Sequence, residues 1–251
     1  MLELKCLGFE MEEIDFMDPP DRDSSTSFYA HRLSISADAV FILLSTVLAA
    51  FKTLFLIGAI DDTKRLSTTG KEMTKFPLEP VHACAILSSR AHCAGVTDAV
   101  VSIVSILSAS SKLFIETSDP DKREESLEAR RKFLHPSGDH LTRLNALYAY
   151  EDIAHEESKG GRRDWCKRNY INERTCTEIL SIRDQVRGVC SMLGMKITWD
   201  IRSSQGEAYE AGVLRSLTTG YALNSAFLQP DGMYKQVMGA SVRQSPYLLV
   251  T

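Results

Sequence analysis

Apolar residues recur at helical spacing through most of this chain, and each break in that rhythm marks a boundary. After Thr97, the residues Val100, Ile103, Val104 and Leu107 fall on one stripe. The longest stripe runs through Ile179, Ile182, Val186, Val189, Cys190 and Leu193, then stops at Gly194, the residue expected just past a helix C-terminus. Pro120 to Phe133 is charged almost throughout, with Glu128 four residues before Lys132, and reads as a surface helix. Pro136-Ser-Gly138 breaks the pattern. Asp139 is placed to cap the next helix, whose apolar positions are Leu141, Leu144, Leu147 and Tyr148. Loops are predicted at 108–119 and 156–163. Residues 81–193 therefore read as all-helical, in a bundle.

The two ends have a different texture. After Trp199, residues 206–219 predict a short helix and 221–228 a strand, and Gln229-Pro-Asp-Gly-Met-Tyr234 reads as a tight turn into a second strand. Nearer the N-terminus, Ser67 is placed to cap a short helix ending before Pro77, Pro80 suits the first turn of the next, and Asp61-Asp-Thr-Lys64 reads as a wing. Residues 21–27 are polar and loop-like. Ala39 to Ala50 is almost continuously apolar and, carried on to Ile60, makes a run of about 22 residues, near bilayer-spanning length. Lys52 lies near the middle of that run, a costly place for a charge in a membrane, so a helix joined to a protein core is the expected form.

Composition narrows the picture. With 251 residues, 44% of them hydrophobic, the chain can form one large or two to three small domains. The net charge of −4 is unevenly spread: residues 159–251 hold 13 Lys/Arg against 8 Asp/Glu, a net of +5, which leaves −9 for residues 1–158. A basic C-terminal part permits a phosphate-facing surface. Six scattered cysteines without a C-x-x-C pair point to reduced, buried thiols rather than a disulfide framework. His82, Cys84, His92 and Cys93 fit no usual zinc spacing and read as core packing. The N-terminus lacks the order of a signal peptide. Glu124, Glu125 and Glu128 share a solvated helix face, and Trp165 and Trp199 read as core or helix-junction anchors. The sequence contains no G-x-x-x-x-G-K-[S/T] loop, no D-E-A-H box and no nucleophile elbow, so no catalytic residues and no bound cofactor are expected in it.

Residues 133–145, Phe-Leu-His-Pro-Ser-Gly-Asp-His-Leu-Thr-Arg-Leu-Asn, resemble the F-x-H-P-x-G-D-H-L-T-x-L-N block in the helicase-associated (ratchet) domain of DEAH-box RNA helicases. Three other stretches resemble the same family. Leu4-Lys-Cys-Leu-Gly8 with Ile14-Asp-Phe-Met-Asp-Pro-Pro20 is similar to the segment joining its second motor domain to a winged helix. Residues 49–62 are similar to its A-L-x-x-L-x-x-L-G-A-L-D-D helix. Residues 214–234 are similar to the opening of its closing oligonucleotide-binding-fold (OB) domain. The implied fold is mainly α: a winged-helix remnant and a helical ratchet bundle, followed by an incomplete OB-type β domain. The implied domains are 1–20, a linker from an absent motor domain; 21–48, an atypical insertion that extends the next helix or forms an apolar hairpin; 49–80, the winged-helix remnant; 81–198, the ratchet; and 199–251, a truncated OB domain.

The resemblance further implies an RNA-binding accessory region of an ATP-dependent helicase, without the motor that would bind ATP and Mg, and inactive alone as an NTP hydrolase. Single-stranded RNA is the expected partner, with the motor domains or a helicase activator protein beside it, in the nucleus or cytoplasm. Candidate RNA contacts, carried over by motif, are Asp139, His140, Thr142, Arg143 and Asn145, with Arg215, Asn224, Tyr234 and Lys235 in the OB part. Arg143 stands where that family usually has an apolar residue. The alternative readings are a non-enzymatic truncated or regulatory protein and a membrane-anchored helical protein.

Overall fold

A computed structural model of the chain describes residues 37–93, 95–197, 206–230, 232–236 and 241–242, with side chains from Val47 onward. The expectations for residues 1–36, for Trp199 and for 243–251 fall outside the described residues. The chain divides into two compact units, 1–81 and 82–251.

In the first unit, helix α1 (Ala37–Leu56) absorbs the C-terminal half of the expected insertion, so that part extends the helix. Gly58, at φ 71, turns the chain out of it. Leu54, Ile57, Ala59, Ile60, Met73 and Phe76 are the buried apolar residues. Ser67 caps α2 (Thr68–Met73): its Oγ accepts from the Gly70 N–H at 2.8 Å and donates to the Gly58 carbonyl at 2.7 Å. Gly70 must be glycine, because a Cβ there would collide with the Ala59 carbonyl. The expected wing is one antiparallel bridge, Ile60 to Leu66, closed by Asp61, whose Oδ1 accepts from Thr63 Oγ1 and the Arg65 N–H. Among the described residues no helix is long and apolar enough to cross a membrane.

The second unit is a helical bundle built on one central helix. After α3 (Pro80–Ser88) and a 3-10 turn, α4 (Val96–Ser108) is apolar on nearly every face and buried from Val96 to Ile106. Around it lie α5 (Pro120–Arg130), α6 (Asp139–Glu156), α7 (Lys159–Arg168), α8 (Glu173–Met192) and α9 (Glu207–Gly220). Helices α6, α8 and α9 pack directly on α4. Phe133, Leu147, Tyr150, Cys166, Ile171 and Ile179 form a second part of the core, with Trp165 edge-on to Phe133. Burial pushes the Cys166 and Cys190 thiols up to about 11, as expected of inert core cysteines. Two ion pairs tie α8 to its neighbours: Arg183 with Glu151 of α6, and Arg187 with Asp98 of α4 at 2.7 Å.

Several expectations need correction. Asp139 does not cap α6. Gly138 holds the cap position at φ 108, a conformation open to glycine, and Asp139 is the first helical residue. The loop expected at 156–163 is mostly helix, because Ser158 caps α7 by accepting from the Gly161 N–H and so outweighs the weak propensity of Gly160-Gly161. Glu128 pairs with Arg131 at 3.0 Å, since the helix tightens there into a 3-10 turn, while Lys132 turns to the rings of Phe133 and Trp165. Only 226–228 of the strand expected at 221–228 is extended. The Tyr221 and Asn224 N–H groups keep helical partners, Leu217 O and Tyr221 O.

The strands β1 (Ala226–Leu228), β2 (Tyr234–Gln236) and β3 (Ser241–Val242) make an antiparallel sheet in that order, with Phe227 opposite Lys235 and Lys235 opposite Ser241. The expected turn is present: the Gly232 N–H bonds Gln229 O, with Gly232 at φ 77. Helix α9, expected to belong with these strands, packs instead on α4. Gly212 allows this close approach, since a Cβ there would lie 3.0 Å from Val96.

Candidate nucleic-acid interface

The turn before α6 is held from three sides. Thr142 Oγ1 donates to the Gly138 carbonyl at 3.0 Å and accepts from the His135 N–H at 3.0 Å, so its hydroxyl is committed to the turn. Asn145 Nδ2 donates to the Phe133 carbonyl at 3.1 Å and fixes the chain entering it. His135 Nδ1 accepts from the Ser137 N–H at 3.1 Å, which puts the ring proton on Nε2, 3.5 Å from Glu210 of α9. Ser137 Oγ donates to the same carboxylate at 3.1 Å. Helix α9 thus clamps the turn that presents Asp139 and Arg143.

His140 is half-buried, and its Nδ1 has no hydrogen-bond partner among the described residues. Burial, aided by the nearby Arg143 charge, lowers its pKa from the usual 6.5, and so the ring is neutral at neutral pH. It can meet a ligand through a hydrogen bond but not as a cation.

Asp139, Thr142 and Arg143, at spacing i, i+3 and i+4 on α6, form one wall of a cleft of about 910 Å³. The end of α4 and the 110–117 loop form the second wall, and α5 supplies the third through Arg123, Leu127 and Arg130 at i, i+4 and i+7. Lys112, Arg123, Arg130, Arg131 and Arg143 face only two acidic side chains, Glu116 and Asp139. The walls are braced. Ser110 is held by Glu178 through two bonds, the Asn172 N–H bonds Leu113 O, and the Ile115 N–H bonds Tyr170 O. Arg130 donates to Ile115 O at 2.6 Å with its guanidinium 4.6 Å above the Phe114 ring, and Tyr170 Oη reaches Glu125 of α5 at 2.7 Å. Arg143 makes no hydrogen bond or ion pair to another described residue.

Of the nine residues singled out from sequence, the structure brings only Asp139, Thr142 and Arg143 into this cleft. Asn145 supports it from behind. Arg215 on α9 and Lys235 on β2 are exposed, as is Asn224 in the 3-10 turn, while Tyr234 is half-buried opposite Leu228; none of these four lines the cleft. Lys112, Arg123, Arg130 and Arg131 were missed because α5 read as a generally solvated helix. The signal lay in Arg123, Leu127 and Arg130 sharing one face, and in Arg143 replacing an apolar residue.

The comparisons with known proteins fall on this region. The winged-helix helicase associated domain (HA2) matches residues 50–78, and the ratchet-like helicase associated domain (HA2) matches 79–143, which includes every residue lining the cleft. The human ATP-dependent RNA helicase DHX33 is 37% identical over 190 residues, covering 74% of this chain and 24% of the relative. The mouse protein of the same name is 37% identical over 190 residues, with 25% of it covered. The Drosophila melanogaster protein is 29% identical over 241 residues, 95% of this chain and 29% of the relative. The chain is homologous to DEAH-box RNA helicases through their helicase-associated region. It spans about a quarter of the length of the curated relatives it matches.

Proposed function

We propose that this chain is the RNA-binding accessory region of a DEAH-box RNA helicase, and that the cleft at the start of α6 takes the phosphates of single-stranded RNA. The observation that carries this reading is the excess of five cations over two carboxylates in a braced cleft within the ratchet-like span. Fixed guanidiniums bind phosphate strongly because no side-chain entropy remains to be lost. Arg215 and Lys235 extend the contact set as exposed cations, Asn224 and Tyr234 supply a polar group and a ring, and His140 contributes a neutral hydrogen-bonding edge. The three short strands are read as the opening of the OB-type domain. ATP and Mg belong to motor domains, whose phosphate loop and acidic box this sequence does not contain. Those domains, or a helicase activator protein, are the proposed protein partners, in the nucleus or cytoplasm.

Salt titration tests the reading. Binding of labelled oligouridylate should weaken steeply with salt, by about 0.7 in the log–log slope for each phosphate contacted. Arg143→Ala and Arg131→Ala should each flatten that slope by about one contact's worth, uniformly across sequences. Binding that ignores salt, or variants that leave the slope unchanged, would remove the phosphate reading.

A further inference from the structure

The cleft is not lined as a simple phosphate site would be. Below and between its cations lie Leu107, Leu113, Phe114, Leu127 and Leu134. Leu127 is 48% exposed and Leu134 53%, and Ile115, adjoining Phe114, is 44% exposed. A large apolar side chain left in water forgoes a substantial part of its transfer free energy, so three such residues at the opening of one charged cleft call for something that covers them. A phosphate alone covers none of them. At about 910 Å³ the cleft lies in the range of sites that enclose a whole organic ligand.

We propose that the cleft is a combined base-and-phosphate subsite, in which one unstacked base of single-stranded RNA lies on the shelf formed by Leu127, Leu134 and Phe114 while its flanking phosphates meet Arg123, Arg131 and Arg143. This inference rests on the proposed RNA binding and adds a contact to the base. Two features favour a nucleic acid over an acidic polypeptide. Arg130 is locked flat over Phe114, and such a guanidinium–ring pair is a surface on which planar bases stack. A peptide adding as a strand would need free main-chain groups, but Leu113 O and the Ile115 N–H on the cleft wall are already bonded to Asn172 and Tyr170. The shelf carries no bidentate reading groups, so it accepts any base.

The test compares full-length protein binding to oligouridylate and oligoadenylate of about ten nucleotides with binding to an abasic ribose-phosphate strand of equal length and charge. The base-bearing strands should bind at least about fivefold more tightly, a margin that survives high salt. Leu134→Ser and, on a separate element, Leu127→Ser should each shrink that margin while leaving abasic binding and the melting temperature unchanged; both positions are about half exposed. Arg143→Ala should weaken all strands alike. Equal affinity for abasic and base-bearing strands, or a margin untouched by both serine variants, would overturn the shelf. If Arg143→Ala still flattened the salt slope in that case, the phosphate reading would stand alone. Failure of every strand to bind would instead sink the RNA reading itself. Displacement of RNA by poly-glutamate, with both serine variants weakening poly-glutamate binding, would reassign the cleft to an acidic polypeptide and also overturn the proposal.

Discussion

His140 shows how far a residue's chemistry depends on where the fold leaves it. Its ring is held between burial and the Arg143 charge, both of which disfavour the imidazolium. The folded-state pKa therefore lies below the unfolded value of 6.5, and the unfolded chain binds the proton first as the pH falls. Stability contributed at this position is intact above 6.5 and declines as the pH drops from there towards the folded pKa. His140→Asn should remove that component. The difference in unfolding free energy between variant and parent should thus be constant at neutral pH and shift in the variant's favour on acidification, as measured by urea unfolding at a series of pH values. A difference independent of pH would show that the ring is solvated. The motif block made His140, Thr142 and Asn145 visible in the sequence, but not what each one does. Thr142 and Asn145 spend their polar groups on the turn itself, and no linear pattern announces a contact such as Asn145 to Phe133 O or Glu210 to Ser137.

At the scale of elements, the helices of residues 81–193 were legible wherever burial and period agreed, as in α4 and α8, and the Gly194 stop of α8 appears as read, at φ 67. The reading weakened where a cap outweighed composition. Ser158 starts α7 through two glycines, and Asn172 starts α8 by accepting from the Arg174 and Thr175 N–H groups. The α5 face was hidden for a different reason: its cations are spaced like any solvated surface, and only the 110–117 loop folding against them makes a cleft. Caps also give the clearest test at this scale. Ser67 satisfies the Gly70 N–H and anchors to Gly58 O, so Ser67→Ala should destabilise the first unit by about 1 kcal/mol, and Ser67→Asp by less. Thermal unfolding followed by helix signal reads both. An alanine variant as stable as the parent would mean that water replaces the hydroxyl without loss.

Across the second unit as a whole, charge distribution along the chain proved a poor guide to charge distribution in space. The basic excess lies in 159–251, yet the cationic cleft is assembled from 106–143, within the part whose net charge is negative. Much of the later positive charge is structural. Arg183 and Arg187 lie one turn apart on α8 and face inward, to Glu151 and Asp98. Arg183 is 5% exposed on the stripe that otherwise reads Ile179, Val186 and Cys190, so it was counted neither as core nor as paired. Its position has a consequence for the cleft, because α6 carries Asp139 and Arg143 at one end and Glu151 towards the other. Removing one partner of a buried pair leaves the other charge dry and uncompensated, which costs about 3–5 kcal/mol, whereas replacing both with apolar groups of similar volume is often nearly neutral. Glu151→Ala should therefore lower the urea midpoint sharply with little change in slope, and Arg183→Met combined with Glu151→Leu should recover most of the loss. If the pair also sets the direction of α6, the double variant should fold stably yet bind oligouridylate with a changed salt slope. A single variant costing under about 1 kcal/mol would show that water reaches the pair and that α6 is held by its apolar face alone.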